Sequence, residues 1–179
     1  MVKKFKIKIF ADGADLKSII NLNKKKYISG FTTNPTLMKK AGIRDYKKFA
    51  FSVLKTIKKK PISFEVFADD LTLMKLQARE ISTWGKNVYV KIPITNSKGK
   101  STNKIISELS KEGINLNITA IFTKKQVRET IKALDKNSKS IISVFAGRIA
   151  DTGLDPSSVI KYSIKASKKK KIEVLWAST

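Results

Sequence analysis

The chain has 179 residues, enough for one domain with a sizeable core and short of what two would need. It contains neither cysteine nor histidine, which excludes disulfides, cysteine or histidine metal sites and every histidine-based triad. The formal net charge of +24 points to polyanionic partners, but only Arg44, Arg79, Arg128 and Arg148 are arginines. Phosphate and base recognition favours the bidentate guanidinium, and the lysines are scattered. A lysine-biased composition therefore explains the charge better than nucleic-acid binding does. No apolar run approaches the roughly 18 residues of a spanning helix. The N-terminal MVKKFKIKIF alternates lysine with apolar residues and reads as a strand instead of a signal peptide. A cytoplasmic protein without membrane association is expected.

In chain order, strand-like runs are FKIKIF, GFTT, ISFEVF, NVYVKIPI, INLNITAIF, SIISVFAG and IEVLWAS. Segments of helical period lie between them, through Leu16, Ile19 and Ile20; through Tyr46, Phe49, Val53, Leu54 and Ile57; and through Leu71, Met74, Ala78 and Ile81. Two more run through Ile105, Ile106 and Leu109, and through Val127, Ile131 and Leu134. Thr123 with Gln126 predicts a capping box, Asp155-Pro156 an N-cap with proline at the first helical position, and Gly113 a helix end. Seven strands and six connecting helices, with no linker, predict a single domain built on a parallel sheet.

An open doubly wound sheet would place a glycine-rich phosphate loop after the first strand, and ADGAD is not one. A closed barrel instead gathers polar residues at the C-terminal ends of its strands. That pattern is present: Asp12, Thr33 and Asn34, Glu65, Lys91, Asn117 and Thr119, Arg148, and Ser178 stand at or near successive strand ends. Lys91 lies inside the apolar run NVYVKIPIT, where an ammonium is costly to bury. Desolvation favours a neutral amine, which suits imine formation with a ketone or aldehyde. Asp12 and Glu65 are the strand-end carboxylates able to move the protons this chemistry needs. Arg148 and Ser178 can hold a phosphate.

Five motifs carry a resemblance: GFTTNPTL, VKIPIT, LNITAIF, SVFAGRI and LWAST. Together, and in this order, they resemble the transaldolase family in its short, fructose-6-phosphate-aldolase-like branch. The resemblance implies a (β/α)8 TIM-type barrel, a lysine Schiff base and no cofactor. Position by position it assigns imine formation to Lys91 and the proton shuttle of C–C cleavage to Asp12. Glu65 with Thr119 would hold the water that makes and hydrolyses the imine. Thr33, Asn34, Asn117 and Phe145 fall in its substrate-binding positions, and Arg148 and Ser178 match its phosphate-binding pair.

Glu65 and Phe145 stand where the short-branch aldolases resembling this chain have glutamine and tyrosine. That favours transfer of a dihydroxyacetone unit between sugar phosphates over an aldolase of the same chemistry. A non-enzymatic, basic nucleic-acid-binding protein is the remaining alternative. Family members continue past the LWAST motif into an eighth strand, whereas this sequence stops at Thr179. A fragment, or completion by another polypeptide, is expected, and a homo-oligomer stays open. Lys8 is the rival strand lysine, predicted to share a face with Asp12 near the stability end of a barrel. Trp84 and Trp176 are expected to be packing residues, Asp69-Asp70 a helix cap, and Asp151 and Asp155 loop and cap residues, with Asp151 near Arg148.

Overall fold

The computed structural model describes residues 6–136, 138–170 and 172–178. Seven strands, Ile9–Asp12 (β1), Ile28–Thr32 (β2), Ile62–Glu65 (β3), Val88–Pro93 (β4), Leu116–Ile121 (β5), Ser140–Val144 (β6) and Glu173–Trp176 (β7), form one sheet. Each pairs in parallel with the next in sequence, so spatial order equals chain order. Sequential parallel order with helical crossovers is the topology of a (β/α)8 TIM-type barrel, of which seven strands lie among the described residues. The sheet curls: Asn117 on β5 bonds side chains from β3 and β6, and Lys8 before β1 reaches Glu173 on β7.

The crossovers hold Leu16–Asn23 (α1), Pro35–Lys40 (α2), Tyr46–Thr56 (α3), Leu71–Ser82 (α4), Asn103–Lys111 (α5), Lys124–Ala133 (α6), Ala146–Asp151 (α7) and Ser157–Ser167 (α8), then a 3-10 turn at Lys168–Lys170. The expected single helix per crossover is thus too few in two places. α2 starts because Asn34 caps the backbone N–H of Leu37 and Pro35 occupies the first turn, where its missing N–H costs nothing. α7 begins inside SIISVFAG, which stops being a strand at Val144; Arg148 therefore sits on a helix and not on strand six.

Other boundaries shift by a few residues. β1 begins at Ile9, so Lys8 precedes the strand, and Phe5 of the expected run lies outside the described residues. β2 ends at Thr32 and β7 at Trp176, before the Thr33, Asn34 and Ser178 predicted to end them. Thr179 of LWAST and Lys171 of the lysine run also lie outside the described residues. The Thr123–Gln126 capping box forms on α6. α8 starts one residue later than predicted, with Pro156 already helical and Asp155 accepting from the Ser157 N–H.

The core lies between the sheet's outer face and the helices. On β4, Val88, Val90 and Ile92 point outward into it and are almost fully buried, on the side packed by α4, whose buried residues are Met74, Ala78 and Ile81. Burying such a side chain contributes about 1.5–3 kcal/mol. The two-residue period then sends Tyr89, Lys91 and Pro93 to the interior face. This alternation answers why a lysine stands in an apolar run: its neighbours belong to the helix-facing core and it does not. Gly30 of β2 is required by the same packing, since a Cβ there would run into the Phe10 ring from β1.

Trp84 packs edge-on against Tyr46 and Phe64, as expected. Trp176 does not pack: it is 54 % exposed at the end of β7, an edge strand whose outer side lacks a neighbour among the described residues. No helix among the described residues is long and apolar enough to cross a membrane.

Candidate active site

Parallel register brings the interior residues together in layers. Glu65, Lys91 and Asn117 are lateral neighbours on β3, β4 and β5, and Asp12 pairs with Thr32 across β1 and β2. The Lys91 Nζ lies 3.1 Å from Glu65 Oε2, with the lysine side chain 9 % and the glutamate 17 % exposed. Burial pushes the Glu65 carboxyl above its ordinary value; the Lys91 charge and hydrogen bond oppose that rise, and the Asp12 charge adds to it. Behind the strand, the half-buried Tyr46 side chain donates its hydroxyl to the Glu65 backbone carbonyl at 2.9 Å, fixing the main chain from the helix side. Burial, with the Glu65 charge second, drives the Tyr46 phenol far above its usual range, so it stays a donor.

Lys91 opens into a cavity of about 790 Å³ whose polar walls include Asp12, Asn34, Thr119, Ser143 and Ser178. Asp12 is exposed at this mouth and accepts the Thr32 hydroxyl at 2.7 Å. The Asn34 side chain serves α2 as cap and also faces the cavity. Thr119 is buried to 1 %, and its Oγ1 has no hydrogen-bond partner among the described residues, so it faces the cavity with its bonding capacity free. The next residue, Ala120, holds φ at 57°, a left-handed conformation uncommon away from glycine, where the β5–β6 pairing slips. Phe145, at the start of α7, lines the same wall and packs on Phe122.

Three predicted residues are placed otherwise. Thr33 is buried on the face opposite Thr32 and does not line the cavity; the strand period separates the two. The Asn117 amide is engaged internally: its Nδ2 donates to Ser63 at 2.9 Å, and its Oδ1 accepts from Ser143 at 2.7 Å. Arg148 lies 63 % exposed on α7, 3.4 Å from Asp151, outside the cavity lining. It remains beside the mouth, because the Gly147 N–H bonds the Ala177 carbonyl next to Ser178. Lys8, the rival amine, is 64 % exposed and paired with Glu173.

Ser63 and Ser143 were missed by the sequence reading. The signal was available: each stands two residues before a singled-out position, Glu65 or Phe145, and the strand period puts it one step deeper along the chain. Asp70 caps α4, while Asp69 instead holds the Ser97 turn, so only one of the pair is a cap.

Fold and site together define a parallel β/α barrel protein with a buried lysine–carboxylate pair at the C-terminal ends of its strands. The family model described as transaldolase/fructose-6-phosphate aldolase matches residues 9–179, and the chain belongs to that family, on its short branch. It is 39 % identical over 155 residues to a probable transaldolase of Streptococcus agalactiae serotype V, covering 87 % of this chain and 67 % of that one. It is 40 % identical over 154 residues to one of Dehalococcoides mccartyi, at 86 % and 68 % coverage, and 40 % identical over 149 residues to one of Methanococcus maripaludis strain C7, at 83 % and 65 %.

Proposed function

We propose that the chain transfers a dihydroxyacetone unit between sugar phosphates through a Schiff base on Lys91. The observation that carries this reading is a single one: an interior lysine amine, 3.1 Å from a carboxyl whose proton affinity is raised by burial, facing a cavity large enough for a sugar phosphate. In this scheme the Lys91 amine, having passed its proton to Glu65, adds to the substrate ketone. Glu65 returns a proton as the carbinolamine hydroxyl leaves as water, and the free Thr119 hydroxyl holds that water.

Asp12 removes the proton from the hydroxyl beside the breaking C–C bond. The bonding pair passes into the imine, giving an enamine, and an aldehyde is released. Addition of the enamine to an acceptor aldehyde reverses these transfers, and water frees the product from Lys91. Asn34 and Phe145 flank the substrate chain. Ser178 on the cavity wall, with Arg148 beside the mouth, supplies the phosphate contacts once the arginine turns from Asp151. Asn117, clamped by Ser63 and Ser143, braces the strands beneath the substrate without lining the cavity. No cofactor enters this scheme.

Borohydride reduction in the presence of a ketose phosphate is expected to leave one stable adduct, mapped to Lys91 by peptide mass analysis. A folded sample that stays unmodified overturns the scheme. Glu65 and Phe145 favour transfer over simple aldol cleavage, because a carboxylate can move protons that an amide cannot. Product release measured with and without an acceptor aldehyde phosphate distinguishes the two reactions: transfer requires the acceptor, whereas cleavage releases free dihydroxyacetone without it.

A further inference from the structure

The opposite end of the barrel holds a second cavity, of about 430 Å³, ringed by Lys8, Lys59, Lys86 and Lys139. These residues come from the segments leading into β1, β3, β4 and β6. Glu173 is the one carboxylate on its wall, and Lys8 neutralises it at 2.6 Å. Lys59, Lys86 and Lys139 have no ion-pair partner among the described residues. The concavity thus keeps an unopposed surplus of positive charge.

The backbone that carries these lysines is held firmly. Asn87 Nδ2 donates to the carbonyls of Ile57 and Lys60, at 2.9 and 2.8 Å, and so brackets the turn that presents Lys59. The Asn87 carbonyl accepts the Ile62 N–H, which fixes the residue after Lys86. Asn115 Nδ2 donates to the Val88 carbonyl, and the Lys139 carbonyl accepts the Leu116 N–H. Lys60 shows what a lysine here does when structure claims it: its ammonium turns away to cap the carbonyls of Asn23 and Lys25. Lys59, next to it, is left to the cavity rim.

We propose that this cavity is a binding site for a small molecule bearing two or more phosphoryl groups. Three unpaired ammonium groups on separate segments are compact point charges that can meet phosphoryl oxygens from several directions, and a ligand with two or more phosphoryl groups engages more of them than a single carboxylate does. A cleft lined by one sign of charge over low-dielectric walls focuses its field. Here the floor is the Phe10 ring, Tyr89 and Ile141. A half-open concavity of this volume suits a compact anion better than an extended nucleic-acid strand, which needs a groove with stacking platforms. The site shares only its Phe10 floor and the seam residues Lys8 and Glu173 with the lysine cavity above, and it does not depend on the reaction proposed there.

Inorganic tripolyphosphate is the probe, titrated calorimetrically into the full chain at about 0.15 M salt. One site is expected, weakened by about tenfold or more in the Lys59→Ala/Lys86→Ala/Lys139→Ala variant. A charge-matched control, Lys17→Ala/Lys48→Ala/Lys125→Ala, and Arg148→Ala at the other mouth should each change affinity less than about twofold. Amide NMR shifts in the unmodified protein should centre on Asn87, Tyr89 and Asn115. Equal losses in the two triple variants, shifts centred at the Arg148 end, or tighter binding of a single-stranded oligonucleotide than of tripolyphosphate would each overturn the proposal.

Discussion

Two ion pairs join neighbouring parts of this sheet, and the shorter one matters less. Lys8 and Glu173 meet at 2.6 Å across the seam between β1 and β7, with side chains 64 % and 46 % exposed. Lys91 and Glu65 meet at 3.1 Å on adjacent strands, 9 % and 17 % exposed. At the seam, water and salt screen the attraction, and holding two mobile side chains together consumes most of what remains. In the interior both partners have lost hydration, so each depends on the other. Depth, and not distance, separates a surface clasp from a reactive pair.

The largest expected difference is chemical. Lys91→Met should abolish the borohydride-trapped adduct and lower transfer by at least about a thousandfold, whereas Lys8→Met should leave both nearly unchanged. Intact-mass analysis and steady-state rates on the two variants check this, and equal losses would erase the contrast. Next comes stability. Glu65→Ala strands a buried cation and should cost about 3–5 kcal/mol by urea unfolding. Glu173→Ala should cost less than about 1 kcal/mol, and that cost should shrink further in high salt.

The smallest effect is the pH slope. The folded state raises the Glu65 carboxyl above its ordinary 4.5, so it binds that proton more tightly than the unfolded chain does. Its contribution is present below the ordinary value and is lost as pH rises through the raised one. Unfolding midpoints measured across that window should fall with pH, and the Glu65→Gln variant should be flatter whatever its absolute stability. An identical slope in both proteins would place the titration elsewhere.

Much of this architecture was legible because strand and helix periods differ so plainly. The interior lysine could be read from β-branched neighbours alone, since Val90 and Ile92 had to face the helices. The first strand was placed too early because alternating lysines imitate a half-buried strand, while Asp12 extends the real one by pairing with Thr32. α2 carries a clear signal in Asn34-Pro35, but reading Asn34 as a strand end hides its role as the helix cap. Which of Thr32 and Thr33 faces inward depends on strand phase, shifted here by the irregularity after Ile9. Ser63 and Ser143 needed register across three strands before their joint hold on Asn117 could be seen. The exposure of Arg148 follows from a helix only six residues long, which local composition does not announce.

Ala120 bends backwards with a methyl group attached, one position past an unpartnered hydroxyl. Such a kink costs an alanine about 1–2 kcal/mol, and a glycine would escape most of it. Easing that tension would also let the Thr119 side chain wander. The molecule accepts a slightly less durable fold in return for a hydroxyl that keeps a fixed address.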